Sequence, residues 1–270
     1  MSFKSIDSLF SITGFYSAFS FSWNEHFHFK GEMHNRLWEI VLITSGKVNI
    51  TEDEKIYTLE KNQMILHAPR EFHSIGSAEN TNPSGYVMSF GADGILPETL
   101  KNGVFVLEEG EMTQFIAIVE RIMTFLTQES LPSYWGQEAS NLLSAFLIHL
   151  IGKKAESTVD NSVTATAYRQ IVSIMTERVK DNFALEDFAS LCNISVSYIK
   201  QLFHQYCGVS PKAYYNNLRI RYARKCLEDG WTIAQVANEM NFSSPNYFSA
   251  FFKKKTGLSP LAYKTQKGGS

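Results

Sequence analysis

From Leu37 the apolar residues come in short runs: "LWEIVLI" (37–43), "VNIT" (48–51), "IYTL" (56–59), "QMILH" (63–67), "FHSI" (72–75) and "YVMSF" (86–90). The segments between them, "TSGK", "EDEK", "EKN", "APRE" and "ENTNPSG", supply Gly, Pro, Asn or clustered charge. Short apolar runs punctuated at this spacing predict a small antiparallel barrel or sandwich. The period then changes. In "EMTQFIAIVERIMTFLTQ" (111–128), Met112, Phe115, Ile116, Val119, Ile122, Met123 and Leu126 form one helical stripe, and Ile118 and Phe125 a second. "QEASNLLSAFLIHLIG" (137–152) is likewise apolar on more than one face. Such helices pack one face on the strands and leave another for each other or for a second subunit. "KKAESTVDNSVTAT" (153–166) is polar and small, and reads as a linker.

Beyond the linker the pattern repeats itself. "LEDFASLCNISVSYIKQLFHQYCGVSPKAY" (185–214) aligns with "IAQVANEMNFSSPNYFSAFFKKKTGLSPLAY" (233–263). Tyr198/Tyr247, Phe203/Phe252, Gly208/Gly257, Ser210/Ser259, Pro211/Pro260 and Tyr214/Tyr263 are identical pairs 49 residues apart, whereas Ala189/Ala237 are 48 apart. The odd residue therefore falls in a turn. Each copy reads as helix, turn, helix. Thr232 with Gln235 makes a capping box, Ser195 and Ser244 are caps, and Gly208 and Gly257 are stops. Between the copies, "SPKAYYNNLRIRYARKCLEDG" (210–230) predicts one continuous helix with Arg219, Arg221, Arg224 and Lys225 on its outer surface.

Charge sharpens the division. The net formal charge of −2 conceals an acidic first part, −9 over residues 1–164, and a basic second part, +7 over 165–270. A polyanion is the natural partner of the second. Three cysteines, all in the C-terminal third and without CxxC spacing, argue for core thiols in a reducing compartment. The aromatic N-terminus lacks a cleavage-site pattern, and no apolar run is long enough to span a bilayer. A cytoplasmic protein without membrane contact is expected.

The repeat carries a family resemblance. "IAQVANEMNFSSPNYFSAFFKKKTGLSPLAY" and "LRIRYARKCL" (218–227) resemble the signature of the AraC/XylS family of bacterial transcription regulators, with Asn241 where the family has glycine. The resemblance covers about 100 residues. It implies a double helix-turn-helix bound to double-stranded DNA, with the second helix of each unit in the major groove. The exposed faces then offer Ser197, Lys200, Gln201 and His204 from the first copy, and Ser244, Asn246, Ser249 and Ala250 from the second, to base edges. Gln201 and Asn246 suit adenine and Lys200 suits guanine. Lys212, Arg219, Arg221, Lys253 and Lys254 are assigned to phosphates.

The strand-rich part resembles the cupin jelly rolls. Their first motif registers on Glu32, His34, Glu39 and Gly46, and their second on "NQMILHAPREFH" ending at His73. Glutamate replaces the first histidine of the metal set, which favours a barrel with no metal and no other cofactor. "WNEHFHFKGEMHNRLWE" (23–39) concentrates Trp23, His26, His28, His34, Arg36, Trp38 and Glu39. With His73 these are the candidate ligand residues: the tryptophans to stack on a sugar ring, Arg36 and the histidines to bind hydroxyls or a carboxylate.

The resulting expectation is an α+β protein with four parts. Residues 1–110 form a cupin-like antiparallel β-barrel that senses a ligand. Residues 111–152 form a helical pair for dimerisation, 153–166 a linker, and 167–267 an all-α double helix-turn-helix domain. Its function is that of a homodimeric, sequence-specific transcription regulator, not an enzyme, controlled by a sugar or small carboxylate and contacting RNA polymerase, with activation and repression both open. Two alternatives stay open: a regulator with no small-molecule effector, and a metal-dependent cupin enzyme fused to a DNA-binding module.

Overall fold

The computed structural model describes residues 9–32, 36–69, 71–94, 96–101, 103–153, 160 and 162–267. The chain divides into two compact units, Met1–Asp160 and Asn161–Ser270.

The first unit is built on two antiparallel sheets. One has the order β1 (Phe10–Ser22), β8 (Ser84–Gly94), β3 (Leu37–Ser45), β6 (Gln63–His67), β9 (Val104–Val106). The other has the order β2 (His28–Glu32), β7 (His73–Ser77), β4 (Val48–Glu52), β5 (Lys55–Leu59). The two sheets face one another across a shared core. All six apolar runs of the sequence are strands. The additional ones are β1, β2 and β9. In β1 the register shifts at Ile12/Gly14 and Phe15/Ser17 break the simple alternation that marks a strand.

Period-two alternation sorts the side chains into two cores. On β3, Val41 and Ile43 join Ile65, Val48, Ile50, Leu59 and Ile75 between the sheets. Trp38, Ile40 and Leu42 point the other way, into a second core closed by helices α1 (Glu109–Thr127) and α2 (Tyr134–Ile151). Phe115, Val119 and Ile122 of α1 and Leu143, Phe146 and Leu147 of α2 fill it. The β3–β4 turn needs its glycine: Gly46 has φ +68°, and a Cβ there would stand 2.7 Å from the Pro83 backbone.

The second unit is entirely helical: α3 (Val163–Glu177), α4 (Leu185–Cys192), α5 (Val196–Tyr206), α6 (Pro211–Glu228), α7 (Ile233–Glu239), α8 (Pro245–Thr256) and α9 (Pro260–Lys267). Helix α3 starts inside the polar 153–166 stretch, because the Ser162 hydroxyl caps it by accepting the Ala165 N–H. The repeat is visible atom by atom. Ser195, Ser210, Ser244 and Ser259 each accept an N–H three residues on. Thr232 and Gln235 close the reciprocal capping box. Asn193 and Asn241, 48 apart, both occupy the left-handed region in the turn of their unit, at φ 54° and 53°. Gly208 and Gly257 do so at the ends of α5 and α8. Phe248 and Phe252, fully buried, tie α8 to Val236, Ala237, Ile220 and Leu227. Each such ring contributes about 1.5–3 kcal/mol. The three cysteines are free thiols, two of them buried.

Candidate functional site

Helices α5 and α8 are the second helices of the two helix-turn-helix units. On α5, Ser197, Lys200, Gln201 and His204 are all exposed, while Ile199, Leu202, Phe203 and Tyr206 are buried. Lys200, His204 and Lys212 border one groove of about 740 Å³ between α4, α5 and α6, floored by Phe183, Phe188 and Tyr215. On α8, Asn246, Ala250, Lys253 and Lys254 are exposed. Two serines there are committed locally: Ser244 caps the helix, and Ser249 donates to the Pro245 carbonyl at 2.8 Å. Tyr247, the repeat partner of Tyr198, is 61% exposed although it stands beside the buried Phe248. The Phe242 ring packs beside it at 5.9 Å and leaves its outer side open. The third position after the N-cap is solvent-facing on this helix, and only the packing of its neighbours reveals it.

Arg219 is a correction. The sequence reading sets it on the outer surface of α6 as a phosphate ligand, yet it is 3% exposed. Its guanidinium donates to Asn182 Oδ1 at 3.1 Å and to the Met240 carbonyl at 2.8 Å. It also lies over Phe242 at 4.5 Å. Helix α6 runs between the two helix-turn-helix units and is apolar on several faces, so helical periodicity alone does not show which cation faces inward. Burial lowers the guanidinium pKa, and Tyr215 and Asp181 oppose that. Arg221 is half-buried and Lys212 exposed, both compatible with a backbone contact.

In the first unit a cavity of about 500 Å³ opens between the sheets, walled by Tyr16, Phe19, Trp23, Phe29, Glu39 and Ser89 among others. Of the eight candidate ligand residues, Trp23 and Glu39 reach it. Trp23 stacks on Phe21 at 3.7 Å and on Phe27 at 3.9 Å, so its ring is engaged by protein instead of open to a ligand. Trp38 faces the helix-lined core, one residue out of phase with Glu39. His28 packs over Gly76 on the far face of the smaller sheet, since its neighbour Phe29 takes the cavity side. His26 has an 83% exposed side chain beside Glu25. Arg36 is exposed and outside the cavity wall. His34 lies outside the described residues. Tyr16, Phe19 and Phe29 were missed; they belong to β1 and β2, the strands with the weakest sequence signal.

At the polar end of this space Glu39 meets His73, with Oε1 3.1 Å from Nε2. His67, absent from the cupin-derived set, completes a cluster of three potential ligand atoms within 4.8 Å of one another. Of the other two registered positions, His34 lies outside the described residues, and Glu32 pairs with His73 along the backbone with its side chain undescribed. Glu52 Oε1 lies 2.5 Å from His67 Nδ1. Burial pushes the Glu52 carboxyl up to about 8, against the pull of His73 and Lys55. Parity finds His67 in retrospect: Ile65 faces inward, so Gln63 and His67 do too.

An N-terminal unit with a ligand-sized cavity, joined to a paired helix-turn-helix unit with a cationic face, defines a DNA-binding regulator with a sensory domain. Comparison with known proteins gives the family. A family model described as "AraC-like ligand binding domain" matches residues 19–147, and one described as "Helix-turn-helix domain" matches residues 188–266. The chain belongs to the AraC family of transcription regulators and is not an enzyme. It is 23% identical over 265 residues to the uncharacterised HTH-type transcriptional regulator YisR of Bacillus subtilis, covering 87% of this chain and 89% of that one. It is 35% identical over 89 residues to the regulatory protein PocR of Salmonella typhimurium, 33% of this chain and 29% of PocR. A solved structure of Vibrio cholerae ToxT with a bound unsaturated fatty acid aligns with TM-score 0.39 at 17% identity, over 96% of this chain and 98% of that one.

Proposed function

We propose that the chain is a sequence-specific transcription activator of the cytoplasm, working as a homodimer under control of a small molecule held between its sheets. The cavity of about 500 Å³ beside Glu39 and Ser89 is the observation that carries this reading. That volume falls in the range of small-ligand sites. Its polar groups are acceptors and hydroxyls, and no Lys or Arg is in its described wall. A carboxylate would meet Glu39 with no Lys or Arg in the described wall to offset it, whereas hydroxyl groups find acceptors and a ring finds Tyr16, Phe19 or Phe29. A sugar is therefore the favoured effector class. The solvent face of α2 carries Leu142, Ala145 and Ile148, which suits packing against a second copy. On DNA, Lys200, Gln201 and His204 of α5 do most of the base reading, Asn246 of α8 adds one contact, and Lys212, Arg221, Lys253 and Lys254 hold phosphates. The exposed outer surface of the DNA-bound dimer is left to RNA polymerase.

Effector control requires that ligand affinity differ between two states of the protein; tight binding alone shifts nothing. The test is calorimetric titration with a panel of pentoses, hexoses and small carboxylates, followed by gel shifts with the ligands that bind. A sugar that binds and changes DNA affinity or transcription supports the reading. Carboxylate binding without sugar binding refutes the effector class. Binding that leaves DNA affinity, transcription and dimerisation untouched refutes the control.

A further inference from the structure

Four strands each send one titratable side chain into the same end of the inter-sheet space: Glu39 from β3, Glu52 from β4, His67 from β6 and His73 from β7. Register puts them there. Glu39 is the cross-strand partner of His67, and Glu52 of His73. All four are buried, at 9% exposure or less. The two imidazoles stack 4.2 Å apart and nearly parallel.

Each histidine is held from behind in the same way. The His67 Nδ1 faces the Glu52 carboxyl at 2.5 Å, and the His73 Nδ1 faces the Glu71 carbonyl at 3.4 Å. The carbonyl holds a proton on the His73 Nδ1, and the Glu52 carboxyl does the same for His67 once a bound cation has displaced its proton; each ring then turns the lone pair of Nε2 to the metal, which is how metal-bound histidines are oriented. The His73 Nε2 is also the atom 3.1 Å from Glu39 Oε1. We propose that Glu39, His67 and His73 bind one divalent transition-metal ion, with Glu52 as a positioning residue on His67. Two imidazoles and a carboxylate suit Zn²⁺, Fe²⁺, Co²⁺ or Ni²⁺ over Mg²⁺ or Ca²⁺. The set takes its third ligand from β6, at a position the cupin register does not use.

Glu39 also lines the cavity, so an ion here borders the ligand space and offsets the carboxylate charge at its polar end. Effector titrations should therefore be run with and without metal. The metal site itself is independent of the effector reading, because its test involves no effector.

The experiment uses the full chain, stripped with chelator and titrated with Zn²⁺ by calorimetry and with Co²⁺ by visible absorption. One equivalent of Zn²⁺ per chain and a Co²⁺ ligand-field band are expected. His67→Ala and His73→Ala should each weaken binding by more than about tenfold, and Glu52→Gln by about 10–100-fold with a shifted Co²⁺ band. Glu52→Asp should restore part of the loss. His26→Ala and His149→Ala, both surface histidines, should change nothing. Should the inner alanine variants fail to fold, the Co²⁺ band of the unaltered chain and its loss in Glu39→Gln decide. Absence of saturable binding, binding abolished by the surface variants alone, or binding indifferent to Glu39→Gln, His67→Ala and His73→Ala overturns the proposal.

Discussion

Replacing Arg219 by alanine separates two roles that a helix pattern cannot. If the guanidinium is a buried tie, the loss falls on stability. It makes two hydrogen bonds, to Asn182 Oδ1 and the Met240 carbonyl. Each is worth about 1.5–3 kcal/mol when a charged donor is involved. Its place over Phe242 and Phe251 adds about 0.5–2 kcal/mol. The contributions overlap, and Arg219→Ala should cost about 3–5 kcal/mol. At roughly 4 °C per kcal/mol for a unit of this size, the helical unit should melt about 12–20 °C earlier. Calorimetry of the full chain reads this as a shift of one transition, and hydrogen exchange should locate the loosening in α6 and the turn at Met240. Arg219→Lys should recover little, since an ammonium lacks the planar fork. DNA affinity of the folded fraction should keep its salt dependence. The reasoning is refuted if Arg219→Ala melts like the parent but lowers the log–log salt slope by about 0.9, the mark of a lost phosphate contact.

Three further outcomes are expected. Asn241→Ala should cost about 1 kcal/mol, because a non-glycine side chain is strained at its left-handed φ of 53°, and Asn241→Gly should be nearly neutral; urea melts check both. Val87→Phe should fill the inter-sheet cavity, costing about 1–3 kcal/mol, and abolish effector binding in calorimetry while gel-shift affinity for DNA persists. Burial of Glu111 opposes its ionisation, but Lys153, the Glu108 N–H and His149 outweigh this and hold its carboxyl at about 2, against the ordinary 4.5. A depressed carboxylate stabilises the fold above its unfolded pKa and loses that contribution as pH falls from 4.5 towards 2. Melting followed by circular dichroism should show the first unit weakening across that window, with Glu111→Gln flattening the decline.

The helix-turn-helix repeat was legible because local chemistry writes it: serine caps, glycine stops and paired aromatics all act within a few residues of where they stand. Strands β3 to β8 were legible through their turns. Orientation was harder. Arg219 and Arg221 lie on one helix two residues apart, and only the position of Met240 and Phe242 decides that the first turns inward. Trp38 and Glu39 looked alike as ligand candidates, although parity on a strand obliges adjacent residues to face opposite ways. His67 was missed because its partners, Glu39 and Glu52, arrive from β3 and β4, and cross-strand pairing is not written in any local pattern. The cavity's aromatic wall escaped for the same reason, being carried by a strand whose bulges hide its period.

Strand β3 has one neighbour on each side of its plane. Glu39 and Val41 border the ligand space, while Trp38, Ile40 and Leu42 are the seat of α1 and α2. The partition between sensing and the helix pair is thus one backbone thick. Under the proposed effector control, a ligand that spreads the sheets would displace the floor on which α1 and α2 rest.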